Sequence, residues 1–123
     1  MKTLKKLINY VKKDKEILAV IIFGSFVRKE KYSDIDICLV LKNKLPPLLM
    51  SKKKLKYLVE FPEFDIQIFQ QLPIYIRINV LKEGKVIFCK NEDLLYDIAI
   101  NTMKEFDDFK PIYKKYLEGV LNE

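Results

Sequence analysis

The sequence predicts an α/β (α+β) domain: a small mixed sheet of about four strands flanked by helices. Three observations carry that reading. Ile17–Phe23 is an apolar run, ILAVIIF, rich in β-branched residues and too short to span a membrane. Three further segments, 33–41, 63–69 and 85–89, have strand-like composition or alternation. The stretches before and between them place apolar residues at helical spacing among lysines. Segments of both kinds following one another in a single chain pack as a sheet covered by helices.

Taken in order, residues 3–14 form an amphipathic helix with Leu4, Leu7, Ile8 and Val11 on one face, packed on the sheet. The first strand, 17–23, suits a position covered on both faces. It stops at Gly24-Ser25, where glycine permits a sharp turn and serine can cap a following helical turn. The second strand, 33–41, alternates: Asp34, Asp36 and Cys38 share one face, Ile35, Ile37 and Leu39 the other. After a two-proline loop, 48–60 reads as a helix with Leu49, Leu55, Leu58 and Val59 inward; Pro62 stops it. The third strand, 63–69, puts Phe64, Ile66 and Ile68 on one face and Asp65, Gln67 and Phe69 on the other. A short helix, 73–82, has proline in its first turn and Gly84 beyond its end. The segment 85–89 is an edge strand. Asn91 caps a last helix, which Pro111 breaks or kinks. Residues 1–123 form one domain, with no repeat, low-complexity tract or linker.

Composition removes several classes of chemistry. The chain has 123 residues and no histidine, which excludes Ser-His-Asp and Cys-His nucleophilic sites, histidine general bases and histidine-dependent zinc sites. Cys38 and Cys89 are far apart and in no CxxC setting, as expected for reduced cysteines of a cytoplasmic protein. The N-terminal stretch has no signal-peptide core, and no membrane segment is expected. The net charge is +6, from 23 basic and 17 acidic residues. The lysines are spread along the chain, which reads as a solvated exterior; RNA contact is at most weak or indirect.

The residues that carry chemistry lie around the first turn. Asp34 and Asp36, two apart on a strand, point the same way about 6.5–7 Å apart at Cα. Side by side without a cation they repel and are costly to desolvate. The outward amides of the Gly24-Ser25 turn are a ready phosphate site. Strand, phosphate turn, strand and carboxylate pair together describe a site for a magnesium–nucleotide complex. Asp65 is the natural third carboxylate if its strand lies beside the second, and Glu63 competes with it. Arg28 is either a phosphate contact or a surface partner of Glu30.

The string GSFVRKEKYSDIDI resembles the signature of the DNA polymerase β-like nucleotidyltransferase superfamily: Gly-Ser, a short gap, then Asp-x-Asp. The segments LPIYIRINVLKEGKVIF and DFKPIYKKYL also look like the minimal nucleotidyltransferases of that superfamily, which include antitoxin partners of HEPN-domain toxins. Where that family often has glycine after the arginine, this chain has Lys29.

The resemblance implies a polymerase β palm-like fold and transfer of AMP from ATP to a tyrosine of a partner HEPN ribonuclease toxin. It implies two Mg²⁺ ions held by Asp34, Asp36 and Asp65, with Gly24, Ser25 and Arg28 binding nucleotide. No segment is left over to bind an acceptor, so the acceptor comes on a separate molecule, or a homo- or hetero-oligomer builds the pocket. Two alternatives stand beside this reading. One is a non-catalytic antitoxin that neutralises the toxin by binding alone. The other is nucleotidyl transfer to RNA or a small molecule.

Overall fold

A computed structural model describes residues 2–24 and 35–121. The elements run α1 (Lys2–Lys12), β1 (Ile17–Phe23), β2 (Ile35–Leu41), α2 (Pro47–Glu60), β3 (Phe64–Ile68), a 3₁₀ turn (Phe69–Gln71), α3 (Ile74–Glu83), β4 (Lys85–Cys89) and α4 (Glu92–Leu121). The sheet order is β3-β2-β1-β4. β1 pairs antiparallel with β2 and with β4, while β2 and β3 are parallel. This is the small mixed four-stranded sheet expected from the sequence, with β4 at an edge.

The apolar run became β1, one of the two central strands, because it needs cover on both faces and both edges. Its first six residues are buried, and each large aliphatic side chain so buried is worth about 1.5–3 kcal/mol. A register shift between Ile17 and Ala19, opposite β2, changes the alternation there, so that Leu18 and Ala19 share a side. On one side of the sheet Val20 and Ile22 join Ile35, Ile37, Leu39 and Ile66 beneath α1 (Leu7, Val11) and α2 (Met50, Tyr57). On the other side Leu18, Ile21, Cys38 and Val40 lie beneath Val80 of α3 and Leu94, Leu95 and Ile98 of α4. The molecule is therefore three layers, helix pair on sheet on helix pair. Both cysteines are free thiols, and burial pushes the Cys38 thiol well above its usual range.

Two details differ from the sequence reading. In α2 the inward residues are Met50 and Tyr57, whereas Leu49, Leu55 and Val59 are exposed. The reason lies in the loop before β1. The Tyr57 hydroxyl donates to Asp14 Oδ2 at 2.8 Å, so the ring can be fully buried with its polar end satisfied. Tyr57 also meets Tyr10 edge-on, with centroids 5.1 Å apart. In the last helix, α4 is continuous through Pro111 rather than broken there. The Asn91 cap is as expected, its Oδ1 accepting from the Leu94 amide at 3.1 Å.

Polar side chains close the end of the sheet where β2 finishes. Gln70 mimics one more strand residue: its amide accepts from Leu41 N at 3.1 Å and donates to Leu41 O at 2.9 Å. Asp14 receives Lys53 Nζ at 2.9 Å as well as Tyr57, and Lys90 donates to the Asp14 carbonyl. Among the described residues no helix is long and apolar enough to cross a membrane.

The Asp14 junction has a measurable pH signature. Burial alone raises its carboxyl pKa, but hydrogen bonds from Lys53, Tyr57 and the Glu16 amide outweigh that and hold it below its ordinary value. A carboxyl lowered in the folded state stabilises fully above its unfolded value, about pH 4. That contribution is lost as pH falls through the lowered folded value. Asp14→Asn is expected to flatten the acid limb of a urea-midpoint-against-pH profile. Asp14→Ala strands the Tyr57 hydroxyl and is expected to cost about 1–3 kcal/mol at neutral pH.

Candidate active site

The opposite end of the sheet, where β1 finishes and β2 and β3 begin, gathers the acidic residues. Phe23 is paired with Asp36, and Asp36 with Asp65. Three strands thus bring the end of β1 and both carboxylates into one row. Neighbouring parallel strands lie about 4.8 Å apart, so the two carboxylate-bearing residues are nearest neighbours. Ile35, Ile37, Phe64 and Ile66 are committed to the core under α1 and α2. By alternation, Asp36 and Asp65 emerge on the α3/α4 side. Asp36 is half-buried and Asp65 exposed.

Gly24 packs directly against this row. Its φ is 78°, in the left-handed region that glycine enters at little cost. A Cβ on Gly24 would collide with the Asp36 carboxylate. The glycine therefore serves two ends at once: it turns the chain out of β1 and leaves room for the carboxylate beside it.

Asp65 is held from its own strand. Gln67 Nε2 lies 3.4 Å from Asp65 Oδ1, and Gln67 Oε1 accepts from Lys54 Nζ of α2 at 3.0 Å. The amide is a bridge that brings the influence of a distant ammonium to the carboxylate without neutralising it directly. Sequence reading placed Gln67 on the Asp65 face without giving it a part; the missing signal was the position of Lys54, which only the packing of α2 supplies. Glu63, the competing carboxylate, precedes β3 in a turn. It lines a recess with Lys6, Tyr10 and Phe61, outside the strand register that joins Asp36 and Asp65.

Ser25, Arg28 and Asp34 lie outside the described residues, as do Lys29 and Glu30. Among the described residues no group of three acidic or thiol side chains comes together. Asp36 and Asp65 make a pair of hard oxygen donors where β2 and β3 begin. Such a pair fits magnesium, which takes one or two carboxylates and completes its shell with water and phosphate.

Gly24→Ala is expected to lower stability by about 1–2 kcal/mol through the left-handed backbone alone, with a further loss from the clash. In an Asp36→Ala background the clash is gone. The cost of Gly24→Ala should then shrink towards the backbone part, a non-additivity that a double-mutant cycle of denaturation midpoints reads directly.

Residues 5–93 match the family model described as polymerase beta, nucleotidyltransferase. The match includes all four strands, Gly24, Asp36 and Asp65. A Methanocaldococcus jannaschii protein, MJ1547, named as an inferred protein adenylyltransferase, is 38% identical over 76 residues. That alignment takes in 59% of this chain, which spans 57% of the relative's length. Among solved structures, a chain of the tri-AMPylated Shewanella oneidensis HEPN toxin in complex with MNT antitoxin superposes with a TM-score of 0.72 at 17% identity. It covers 98% of this chain and 97% of that one. A chain of a toxin–antitoxin structure with AMP-PNP superposes with a TM-score of 0.73 at 16% identity, with the same coverage of each. At these identities the likeness is one of fold. The family match, with the sheet end that bears Gly24, Asp36 and Asp65, places the chain in the polymerase beta nucleotidyltransferase family.

Proposed function

We propose that this chain is a Mg²⁺-dependent adenylyltransferase that moves AMP from ATP to a tyrosine hydroxyl of a partner HEPN ribonuclease toxin, and so acts as its antitoxin. The observation that carries the reading is the pairing of Asp36 with Asp65, in register beside the left-handed Gly24. It is supported by the inferred adenylyltransferase relative and by the fold shared with a structure of an AMPylated HEPN toxin in complex with MNT antitoxin.

In this reading the phosphate end of ATP lies over the turn at Gly24-Ser25, with the Gly24 amide, the Ser25 hydroxyl and the Arg28 guanidinium as its donors. Asp34 and Asp36 hold the metal–nucleotide complex, and Asp65 completes the acidic row. Magnesium, when bound there, supplies positive charge to the triphosphate and a clamp on the attacking and leaving oxygens. The acceptor oxygen attacks the α-phosphorus, its bond to the bridging oxygen breaks and pyrophosphate leaves. Asp65 is exposed and lies on the edge strand β3; in this reading it orients the acceptor hydroxyl and takes its proton. Lys54, through Gln67, keeps that carboxylate in place.

The test is intact mass spectrometry of the adjacent HEPN-type protein after incubation with this chain, ATP and Mg²⁺. A mass gain of one or more AMP groups is expected with wild type. Asp36→Asn is expected to reduce the initial rate by at least about 10²-fold, as loss of one preorganised charge at a reacting centre typically does. Gln67→Leu should reduce it less, since it acts only through Asp65. Neutralisation of the toxin with no mass gain would replace this proposal with inhibition by binding alone.

A further inference from the structure

α2 carries apolar residues on two opposite sides. Met50 and Tyr57 are buried in the core, and Leu58 packs against it from the flank. Leu48, Leu55 and Val59 are 67%, 61% and 73% exposed. At 3.6 residues per turn these three fall within about 40° of one another, opposite Met50 and Tyr57. They form a ridge about 16 Å long on the outer surface of the domain. A single exposed leucine is ordinary, but three aliphatic side chains on one line of one helix make a surface that gains from being covered.

The ridge has a basic flank. Of the four lysines of α2, Lys53 is engaged by Asp14 and Glu16, and Lys54 by Gln67. Lys52 stands beside the ridge and Lys56 a step further round, both exposed. Between α2 and the end of α1 lies a recess lined by Tyr10, Lys13 and Lys56, and next to it a second reaches Lys6, with Glu60 and Glu63 at its rim. Lys56 Nζ lies 5.7 Å from the centroid of the Tyr10 ring. Among the described residues Lys6, Lys13, Lys52 and Lys56 have no carboxylate partner. α1 itself holds no acidic residue.

Charge and shape select the occupant. An apolar ridge flanked by unpaired cations is complementary to a helix whose apolar stripe is bordered by carboxylates. A second copy paired through the same ridge sets lysines against lysines. α4 of a second copy, with as many lysines as acids from Lys104 to Glu118, brings no net charge to the contact. RNA gains nothing from three aliphatic side chains, and neither α1 nor α2 offers an arginine to it. A bilayer has to accept Lys52 beside the apolar strip, where a partner helix sets a carboxylate against it. By alternation Asp36 and Asp65 emerge on the other side of the sheet, so a protein seated on α2 leaves the acidic row uncovered.

We propose that the outer ridge of α2, with the lysine-lined recess beside it, is a docking surface for an acidic amphipathic helix of a partner protein. The test is fluorescence anisotropy of the full chain with a labelled synthetic helix about 20 residues long. Its apolar stripe recurs at i, i+3, i+4 and i+7 and is bordered by glutamates; a control peptide has lysines in their place. The chain is expected to bind the glutamate peptide, less tightly as salt is raised, and the lysine peptide at least about tenfold more weakly. Leu55→Gln with Val59→Gln, and separately Lys13→Glu with Lys56→Glu, should each raise the Kd for the glutamate peptide about tenfold or more. All four positions are exposed, so helix content by circular dichroism should be unchanged. Co-sedimentation with phosphatidylglycerol vesicles accompanies it. No binding of the glutamate peptide up to about 1 mM, equal binding of the two peptides, or variants that bind as wild type would each overturn the proposal. Sedimentation with vesicles that is lost in the Leu55/Val59 variant, without peptide binding, would overturn it too and assign the ridge to a bilayer surface.

Discussion

Two carboxylates held side by side repel, and the rest of this structure can be read as the means of keeping them there. Asp36 and Asp65 face each other across a parallel strand pair. Such a pair is tolerable only near solvent, a cation or a proton. It cannot relax by moving apart, because Ile35, Ile37, Phe64 and Ile66 anchor both strands in the core on either side of the carboxylates. A one-residue slip would bury the acids and expose the isoleucines, so the hydrophobic pattern fixes the acidic row as firmly as it fixes the core. A site set in this way is preorganised for positive charge before any ligand arrives.

The two ends of the sheet are built differently. At the far end, Asp14 gathers Lys53, Tyr57 and, through its carbonyl, Lys90, while Gln70 completes the edge of β2. Every strong polar group there has a partner, and the aromatic cluster of Tyr10, Tyr57 and Phe61 is locked above it. The charges of Asp14 and Glu16 raise the Lys53 pKa against the effect of burial, and burial and Asp14 together raise that of Tyr57. Each group is thereby kept in the protonation state that the junction uses. At the near end the polarity is left open, with Asp65 exposed and Gly24 giving up its side chain to make space. Rigid strands connect the two, so the closed end steadies the open one.

Much of this was legible in the sequence because periodicity reports on faces. The ILAVIIF run showed a strand covered on both sides, and alternation in DIDIC and EFDIQI showed which residues share a face with the acids. The spatial neighbour of Asp36 was legible only on the condition that β2 and β3 lie together, which the register meets. What could not be read is contact across long sequence distance. Leu49, Leu55, Leu58 and Val59 suggest an inward face for α2, yet of these only Leu58 packs against the core, and Tyr57 takes the centre through a hydroxyl bond to a residue 43 positions away. Gln67 and Gln70 look like ordinary strand-end amides until Lys54 and Leu41 are set beside them. The break or kink expected at Pro111 also rested on a local rule. Within a long helix, the neighbouring turns hold the segment together and the loss is confined to one backbone bond.

The central claim is that Asp36 and Asp65 act as one cation site for a bound nucleotide. Electron paramagnetic resonance of Mn²⁺, titrated with this chain in the presence of AMP-PNP, tests it most directly. The account predicts that nucleotide promotes Mn²⁺ binding to the wild-type chain. It also predicts that Asp36→Asn and Asp65→Asn each weaken that binding, and that the double variant is little worse than the weaker single one, as befits ligands to a shared ion. Binding that is unchanged in both single variants would contradict it.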